Sequence, residues 1–305
     1  MIENNDILHK LLYITDNVLV NEPMCKHTSF RVGGVADFLV TIENKVQLNA
    51  LFDVVQRYGI PVTVIGRGTN VIVRDKGIRG IVTRLGGEFN KIVVDVDNFT
   101  ITAGAGVSLN RVVKKAVEYE LSGMEFGVDI PGTIGGAVVG NVGIKDNCIG
   151  EKVNHVEVFS PESGICILNR KDVSFSYRDS NLRKYIVLNV ELLLTKQNFL
   201  GIISVMDLIR KQRLETQPKK VIGSAGSIFK NPDDNIYAGK LIEEAGLKGC
   251  RIGKAYVSRK HANFILTDKG AKAQDILDLM EYIQEKVYKM FGIKLIPEVI
   301  VIGEK

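Results

Sequence analysis

Five segments of the chain carry residue types at spacings that could do chemistry. The first, Ile65–Val71, reads Ile-Gly-Arg-Gly-Thr-Asn-Val between two expected strands. Gly66 and Gly68 let the backbone turn tightly, so that consecutive N–H groups can aim at one anion without a helix. A plain hairpin turn is an equal reading. The segment is no G-x-G-x-x-G fingerprint, because the third glycine is missing and strand follows. The second segment, Ile130–Gly143, is dense in glycine. Pro131 fixes its own φ and removes a donor, and Gly135-Gly136-Ala137 would let a flat ring or a diphosphate come close to the main chain. A short helix starting near Ile134 would add free N–H groups for phosphate. Tight packing against a sheet is the plainer reading, and the glycine density favours the ligand. No G-x-x-x-x-G-K-[ST] pattern occurs.

The third segment, Ser174–Ser180, sets Arg178 beside Tyr177, and such an arginine can fork onto a carboxylate. A surface ion pair with Asp179 is the plainer reading. In the fourth, Gly223–Pro232, small residues expose the Ser227 hydroxyl, with Lys230 three residues on. A serine is a poor acid, and it can donate a proton only where the site stabilises what is left behind; a nearby cation helps. The pattern is not G-x-S-x-G, no hydrolase triad order is present, and a turn with an Asx-type cap would explain it equally. In the fifth, Lys294–Ile302, alternation puts Glu298 on one face with Ile296, Ile300 and Ile302. A carboxylate on an apolar face is costly unless paired, so Glu298 is either held in a site near Arg178 or another cation, or sits at the rim of the sheet. His261 and Asn263 form a further polar pair before a strand; alone, a satisfied structural histidine is the better reading.

These segments need elements to hold them. Leu48, Leu51, Phe52 and Val55 recur at helical spacing in Lys45–Tyr58, stopped by Gly59 and Pro61. Strands are expected at Val62–Ile65, Val71–Arg74, Gly80–Thr83, Lys91–Val96, Phe99–Ala103, Val153–Ser160 and Ile186–Thr195. Ser108 is a plausible N-cap for a helix with Leu109, Val112, Val113, Ala116 and Val117 inward. Helices are expected at Ile202–Arg213, at Ala238–Ala245 closed by Gly246, and at Ala271–Phe291. The last has a buried stripe of Ile276, Met280, Ile283, Val287 and Met290, and Gly292 ends it. Between them Lys211–Lys220 is polar, and Lys294–Ile302 closes the chain as a strand. The pattern reads as α+β, with a boundary near 197–201.

Composition narrows the function. The chain has 305 residues, 45% hydrophobic and 25% charged, which suits a globular protein of about two domains. The net charge of +5 favours anionic small ligands. No basic stripe carries interleaved aromatics, which argues against nucleic acid. Cys25, Cys148, Cys166 and Cys250 lie far apart, like neither a disulfide framework nor a zinc site. No leader-like start and no run of about 18 apolar residues is present, so a reduced, cytoplasmic chain without a membrane helix is expected.

Taken in order, the segments from Thr28–Gly34 to Pro297-Glu298 resemble the UDP-N-acetylenolpyruvoylglucosamine reductase family, most specifically at Ile130–Gly136, Ser176–Ser180, Gly226–Pro232 and His261–Phe264. The resemblance implies an FAD-binding domain of the vanillyl-alcohol-oxidase (PCMH) type over 1–199, in two α+β subdomains of about 20–85 and 86–199, and a C-terminal α+β substrate-binding domain over 200–305. It implies noncovalent FAD held by Arg31, Gly66, Gly68, Thr69, Asn70, Val71, Pro131, Gly132, Thr133, Gly135, Gly136, Ala137 and Asn141. NADPH would reduce the flavin, whose N5 would pass hydride to C3 of UDP-N-acetylenolpyruvoylglucosamine, making UDP-N-acetylmuramate for peptidoglycan, cell-wall growth, cell shape and division. Ser227 would give C2 its proton, and Arg178 and Glu298 would polarise the substrate carboxylate. Tyr177, Lys230, Asn231, His261 and Asn263 would contact substrate. A monomer, no metal and no macromolecular partner are expected. The chain departs from the family at Val142–Asn147 and at Arg67, where a small residue is more usual, and it lacks room for the extra tyrosine loop of some members. Another noncovalent FAD oxidoreductase on the same scaffold, and a non-catalytic nucleotide-binding protein, are the competing readings.

Overall fold

A computed structural model describes residues 4–144, 147–218 and 223–305. Lys145 and Asp146, and Lys219 and Lys220 at the end of the polar stretch, lie outside the described residues. The chain forms two compact units. One comprises Met1–Val20, Phe38–Gly66 and Gly80–Gln212; the other comprises Asn21–Asp37, Arg67–Arg79 and Arg213–Lys305. The expected boundary at 199/200 falls at the start of the helix Phe199–Thr216, whereas the compact units part after Gln212.

The first unit is built on an antiparallel sheet in the order Gly164–Asn169, Val153–Ser160, Ile186–Leu193, Thr100–Gly104, Ile92–Asp95. Alternation sends Val156, Val158, Val190 and Ile101 to one face, where Leu109, Val112, Val113 and Ala116 of the helix Leu109–Glu118 bury them. Phe159, Ile186 and Leu188 point the other way, into a second core with Phe38, Val40, Leu48, Leu51 and Phe52. The Phe52 and Phe159 rings meet at 4.7 Å. The helix Lys45–Tyr58 forms with the expected bounds, capped by the Asn44 side chain. Ser108 occupies the N-cap of Leu109–Glu118 but makes no side-chain capping bond. The helix Asn4–Ile14 was not expected; its buried residues Ile7 and Leu11 join the second core.

In the second unit the helix Ala273–Phe291 packs with Ala238–Glu244 and the three short strands Arg251–Ile252, Ala255–Val257 and Ile265–Thr267. Ile276, Met280, Ile283 and Val287 are buried as expected, but Met290 is 62% exposed, one step beyond the stripe. Gly292 ends the helix in the left-handed conformation, φ +69°. Phe30, Val32 and Ile72 complete this core. Asp75 caps the helix, accepting from Ala273 N at 2.8 Å and Gln274 N at 3.0 Å.

Two expectations are corrected. The closing strand is only Ile300–Ile302, parallel to Val71–Val73, because Ile296 and Glu298 bond instead to the segment around Phe229. And Ile65–Val71 is no hairpin turn: Val62–Val64 pairs with Ile81–Thr83, while Val71–Val73 pairs with Ile300–Ile302, so the flanking strands are not partners.

Candidate active site

The glycine-dense segment forms a helix, Ile134–Val139, starting where expected. Its first turn lies against residues 105–109. Ile134 N donates to Val107 O at 2.8 Å, and Gly135 N donates to Ala105 O at 3.0 Å. Gly136 N reaches the Thr133 hydroxyl at 3.3 Å, and Ala137 N closes on Thr133 O at 2.9 Å. Three of the donors that a helix start leaves open, those of Ile134, Gly135 and Gly136, are thus taken, and the Ala137 bond is the first within the helix. The expectation that they would be free for phosphate is corrected, the cause being the neighbouring carbonyls of Ala105 and Val107. A Cβ on Gly135 would lie 2.8 Å from the Ala105 Cβ, so packing demands that glycine. Gly136 differs. It is exposed, and a Cβ there would meet only the Thr133 hydroxyl, at 3.4 Å. Among the described residues outside its own helix, none demands glycine at 136. Pro131 is also exposed, Gly132 turns at φ +143°, and Thr133 and Ala137 are buried.

The loop Gly66–Asn70 is the reverse case. Among the described residues, none accepts a hydrogen bond from the main-chain N–H of Gly66, Arg67, Gly68 or Asn70. Gly66 and Arg67 are exposed. Gly68 has φ +60°, and a Cβ there would fall 2.0 Å from His27 O. Ser29 N bonds Gly68 O at 2.9 Å, holding the loop's carbonyl side inward. A run of undonated N–H groups fits a diphosphate. Thr69 is half-buried and Val71 begins the strand; Arg31 is exposed at φ +56°, its N bonded to Thr28 O at 3.1 Å. The Asn70 amide is turned to the protein and donates to Glu298 O at 3.1 Å.

Arg178 sits at the tip of the hairpin that pairs Phe175-Ser176 with Asp179-Ser180, at φ +56° and with its guanidinium 5.3 Å from the Tyr177 ring centre. Asp179 pairs with Arg183, i to i+4. Tyr177 is exposed. Asn141, expected at the cofactor, is 5% exposed at φ +43°. Its amide donates to Ser176 O at 2.8 Å and accepts from Gly150 N at 3.0 Å. The side chain is engaged by the hairpin and by the turn at Gly150.

Ser227 bridges Phe264, and Phe229 bridges Pro297, so residues 227–230 run between the segments that carry Phe264 and Pro297. Glu298 N donates to Ile228 O at 2.7 Å, and Lys230 N to Ile296 O at 2.8 Å. The main chains bearing Ser227 and Glu298 are therefore adjoining. The face that Glu298 shares with Ile296 and Ile300 is the open one: these are 60% and 40% exposed, whereas Leu295 and Val299 are buried. The expected apolar surroundings of Glu298 are thus corrected to half-open ones. The Ser224 hydroxyl accepts from Gly226 N at 3.3 Å, making the small turn that precedes Ser227.

Asn263 is 4% exposed and holds Phe229 at both ends, Phe229 N to its oxygen at 3.0 Å and its NH2 to Phe229 O at 2.8 Å. His261 takes the Asn263 N–H on Nδ1 at 3.2 Å, which requires a neutral ring; burial, then Lys248, pulls its pKa below the ordinary value. Asn231 caps the helix Ala238–Glu244 through Ala238 N at 3.1 Å, and Lys230 is half-buried. The structure brings Gly66 against Thr133, Asn141 against the Arg178 hairpin, and both Asn70 and the Ser227 segment against Glu298. Arg178 belongs to the first unit and the Ser227–Glu298 pair to the second. Sequence reasoning passed over Ser180 and Gly150 as anchors of the hairpin. The signal in the sequence was that Ser180 closes the segment Ser174–Ser180.

Comparison with known families and structures gives one answer. A family model described as UDP-N-acetylenolpyruvoylglucosamine reductase, C-terminal domain, matches residues 217–302, and an FAD binding domain model matches residues 36–166. The chain is 43% identical over 288 residues to the UDP-N-acetylenolpyruvoylglucosamine reductase of Caldanaerobacter subterraneus subsp. tengcongensis, covering 94% of each chain. It is 40% identical over 305 residues to that of Clostridioides difficile, covering 99% of each. Among solved structures it is similar to the UDP-N-acetylenolpyruvylglucosamine reductase of Thermus caldophilus, with 33% identity, a TM-score of 0.79, and coverage of 93% of this chain and 97% of that one.

Proposed function

The chain belongs to the UDP-N-acetylenolpyruvoylglucosamine reductase family, and from that premise we propose that it reduces UDP-N-acetylenolpyruvoylglucosamine to UDP-N-acetylmuramate with NADPH, as an FAD enzyme of peptidoglycan synthesis. The fold is an FAD-binding domain of the PCMH type with the family's C-terminal domain. Held noncovalently, FAD would supply hydride-transfer chemistry between NADPH and C3 of the enolpyruvyl group. The N–H groups of Gly66, Arg67, Gly68 and Asn70 hold the diphosphate, with Arg31, Thr69 and Val71 flanking. The open face at Pro131, Gly132 and Gly136 admits the ring. We assign FAD binding to 1–199 and substrate binding to 200–305.

Addition of hydride at C3 leaves negative charge spread over C2 and the carboxylate. Preorganised charge and donors aimed there lower the barrier. Arg178 and Glu298 polarise the carboxylate. Ser227 gives its hydroxyl proton to C2, a role a serine can fill only where that charge makes C2 strongly basic. Tyr177, Lys230, Asn231 and His261 contact the sugar nucleotide, and Asn263 keeps the Ser227 segment in register. We further propose a cytoplasmic monomer whose product feeds wall growth, cell shape and division; among the described residues no helix is long and apolar enough to cross a membrane.

The observation that most supports this reading is the pairing of Glu298 N with Ile228 O, which sets the proposed proton donor and carboxylate on adjoining main chains within the region matched by the family's C-terminal model. The test is NADPH oxidation by the purified yellow protein. Consumption only when UDP-N-acetylenolpyruvoylglucosamine is added is expected. Equal consumption without it, or a protein that takes up no FAD, overturns the proposal.

A further inference from the structure

We propose that Asn141 is a positioning residue for Arg178, tethering the hairpin that carries the arginine to the C-terminal end of the glycine helix. The inference rests on the role assigned to Arg178 above.

Arg178 lies in a two-residue turn between two-residue strands, an arrangement too short to be stable alone. Its place must come from what the hairpin is bonded to. Two bonds run to the glycine helix and its exit: Asn141 Nδ2 to Ser176 O at 2.8 Å, and Ser180 Oγ to Val139 O at 2.8 Å. They grip both strands of the hairpin, one on each side of the Tyr177-Arg178 turn. Asn141 is itself pinned from behind by Gly150 N on its oxygen, at 3.0 Å. At Gly150 a Cβ would lie 2.5 Å from the Phe175 ring and 2.8 Å from Asn141 Oδ1, so the first hairpin strand also packs directly on that turn.

An asparagine suits this position twice. It tolerates the left-handed φ of +43°, and its planar amide offers a donor to Ser176 O and an acceptor to Gly150 N at once. Asn141→Asp keeps the shape, the backbone preference and the acceptor. It replaces the donor facing Ser176 O by an oxygen, and two acceptors repel at that distance. The grip on the first strand is lost while the fold around Gly150 is kept. A buried acceptor left without its donor is unfavourable enough to loosen a hairpin this small.

Three readouts test the tether on the FAD-loaded protein. Hydrogen–deuterium exchange in Asn141→Asp is expected to rise within residues 174–181, with the helix Leu109–Glu118 unchanged. Reduction by NADPH and the FAD dissociation constant stay at wild-type values, while reoxidation by UDP-N-acetylenolpyruvoylglucosamine slows at least tenfold. In an Arg178→Ala background, adding Asn141→Asp produces no further slowing, because the interaction acts through the arginine. Ser180→Ala, which cuts the second anchor, serves if Asn141→Asp does not fold, with the same three expectations. Unchanged exchange in 174–181, a selective loss of FAD affinity, or an undiminished effect in the Arg178→Ala background each overturns the proposal. An Arg178→Ala protein that reoxidises at the native rate instead removes the role of Arg178, and the exchange result then judges the tether separately.

Discussion

Two glycine-rich segments of this chain look alike in sequence and do opposite things with their backbone donors. In residues 134–137 the N–H groups point into the protein and are taken by Ala105, Val107 and Thr133. Those of Gly66, Arg67, Gly68 and Asn70 meet no acceptor among the described residues. Glycine in the first segment serves close packing at Gly135 and an open face at Gly136. In the second it lets the chain bend so that donors converge. Glycine density therefore marks a place where backbone comes close to something, and only the partner of each N–H decides whether that something is protein or ligand.

The sharpest way to break this contrast is Gly135→Val. Its new carbons would strike Ala105, and overpacking of this kind costs about 1–3 kcal/mol or more. Urea unfolding of the FAD-free protein should show that loss, while FAD affinity of the folded fraction changes little; a fully stable variant with poor FAD binding would make Gly135 a ligand glycine. Gly136→Ala should do the reverse. The FAD-free protein keeps its stability or gains up to about 1 kcal/mol of helix preference, and the FAD dissociation constant rises at least tenfold, read by flavin fluorescence. Unaltered affinity would assign Gly136 to the fold.

The smallest effect concerns His261, another polar group turned inward. Burial holds its pKa below the ordinary value. As pH falls below about 6.5 the unfolded chain takes up a proton that the folded ring resists, so the stability this neutral ring carries above that pH is lost as pH drops through the lowered pKa. His261→Gln should flatten the acid side of the stability curve by that one proton. An identical slope in wild type and variant would show that the ring stays hydrated and open.

What the sequence made legible was local. The stripe Leu48, Leu51, Phe52 set the helix Lys45–Tyr58, and alternation set the strand Val153–Ser160, because periodicity needs no distant partner. The start of the helix at Ile134 was equally plain. The satisfaction of its donors was not, since Ala105 and Val107 lie more than twenty-five residues away in sequence. The same holds for Val71–Val73, whose partner Ile300–Ile302 is at the other end of the chain, and for the closing strand, shortened because Ile296 and Glu298 bond to the Ser227 segment. Asn70, Asn141 and Asn263 are expected as ligand contacts through the family resemblance. Tertiary structure gives each of these side chains a main-chain partner, which no local pattern announced.

The account stands most directly on Ser227. Stopped-flow absorbance of Ser227→Ala should show NADPH bleaching the flavin at the wild-type rate, followed by reoxidation with UDP-N-acetylenolpyruvoylglucosamine slowed by about 10²–10⁴-fold, the usual worth of a positioned proton donor. Reoxidation at the native rate would contradict it.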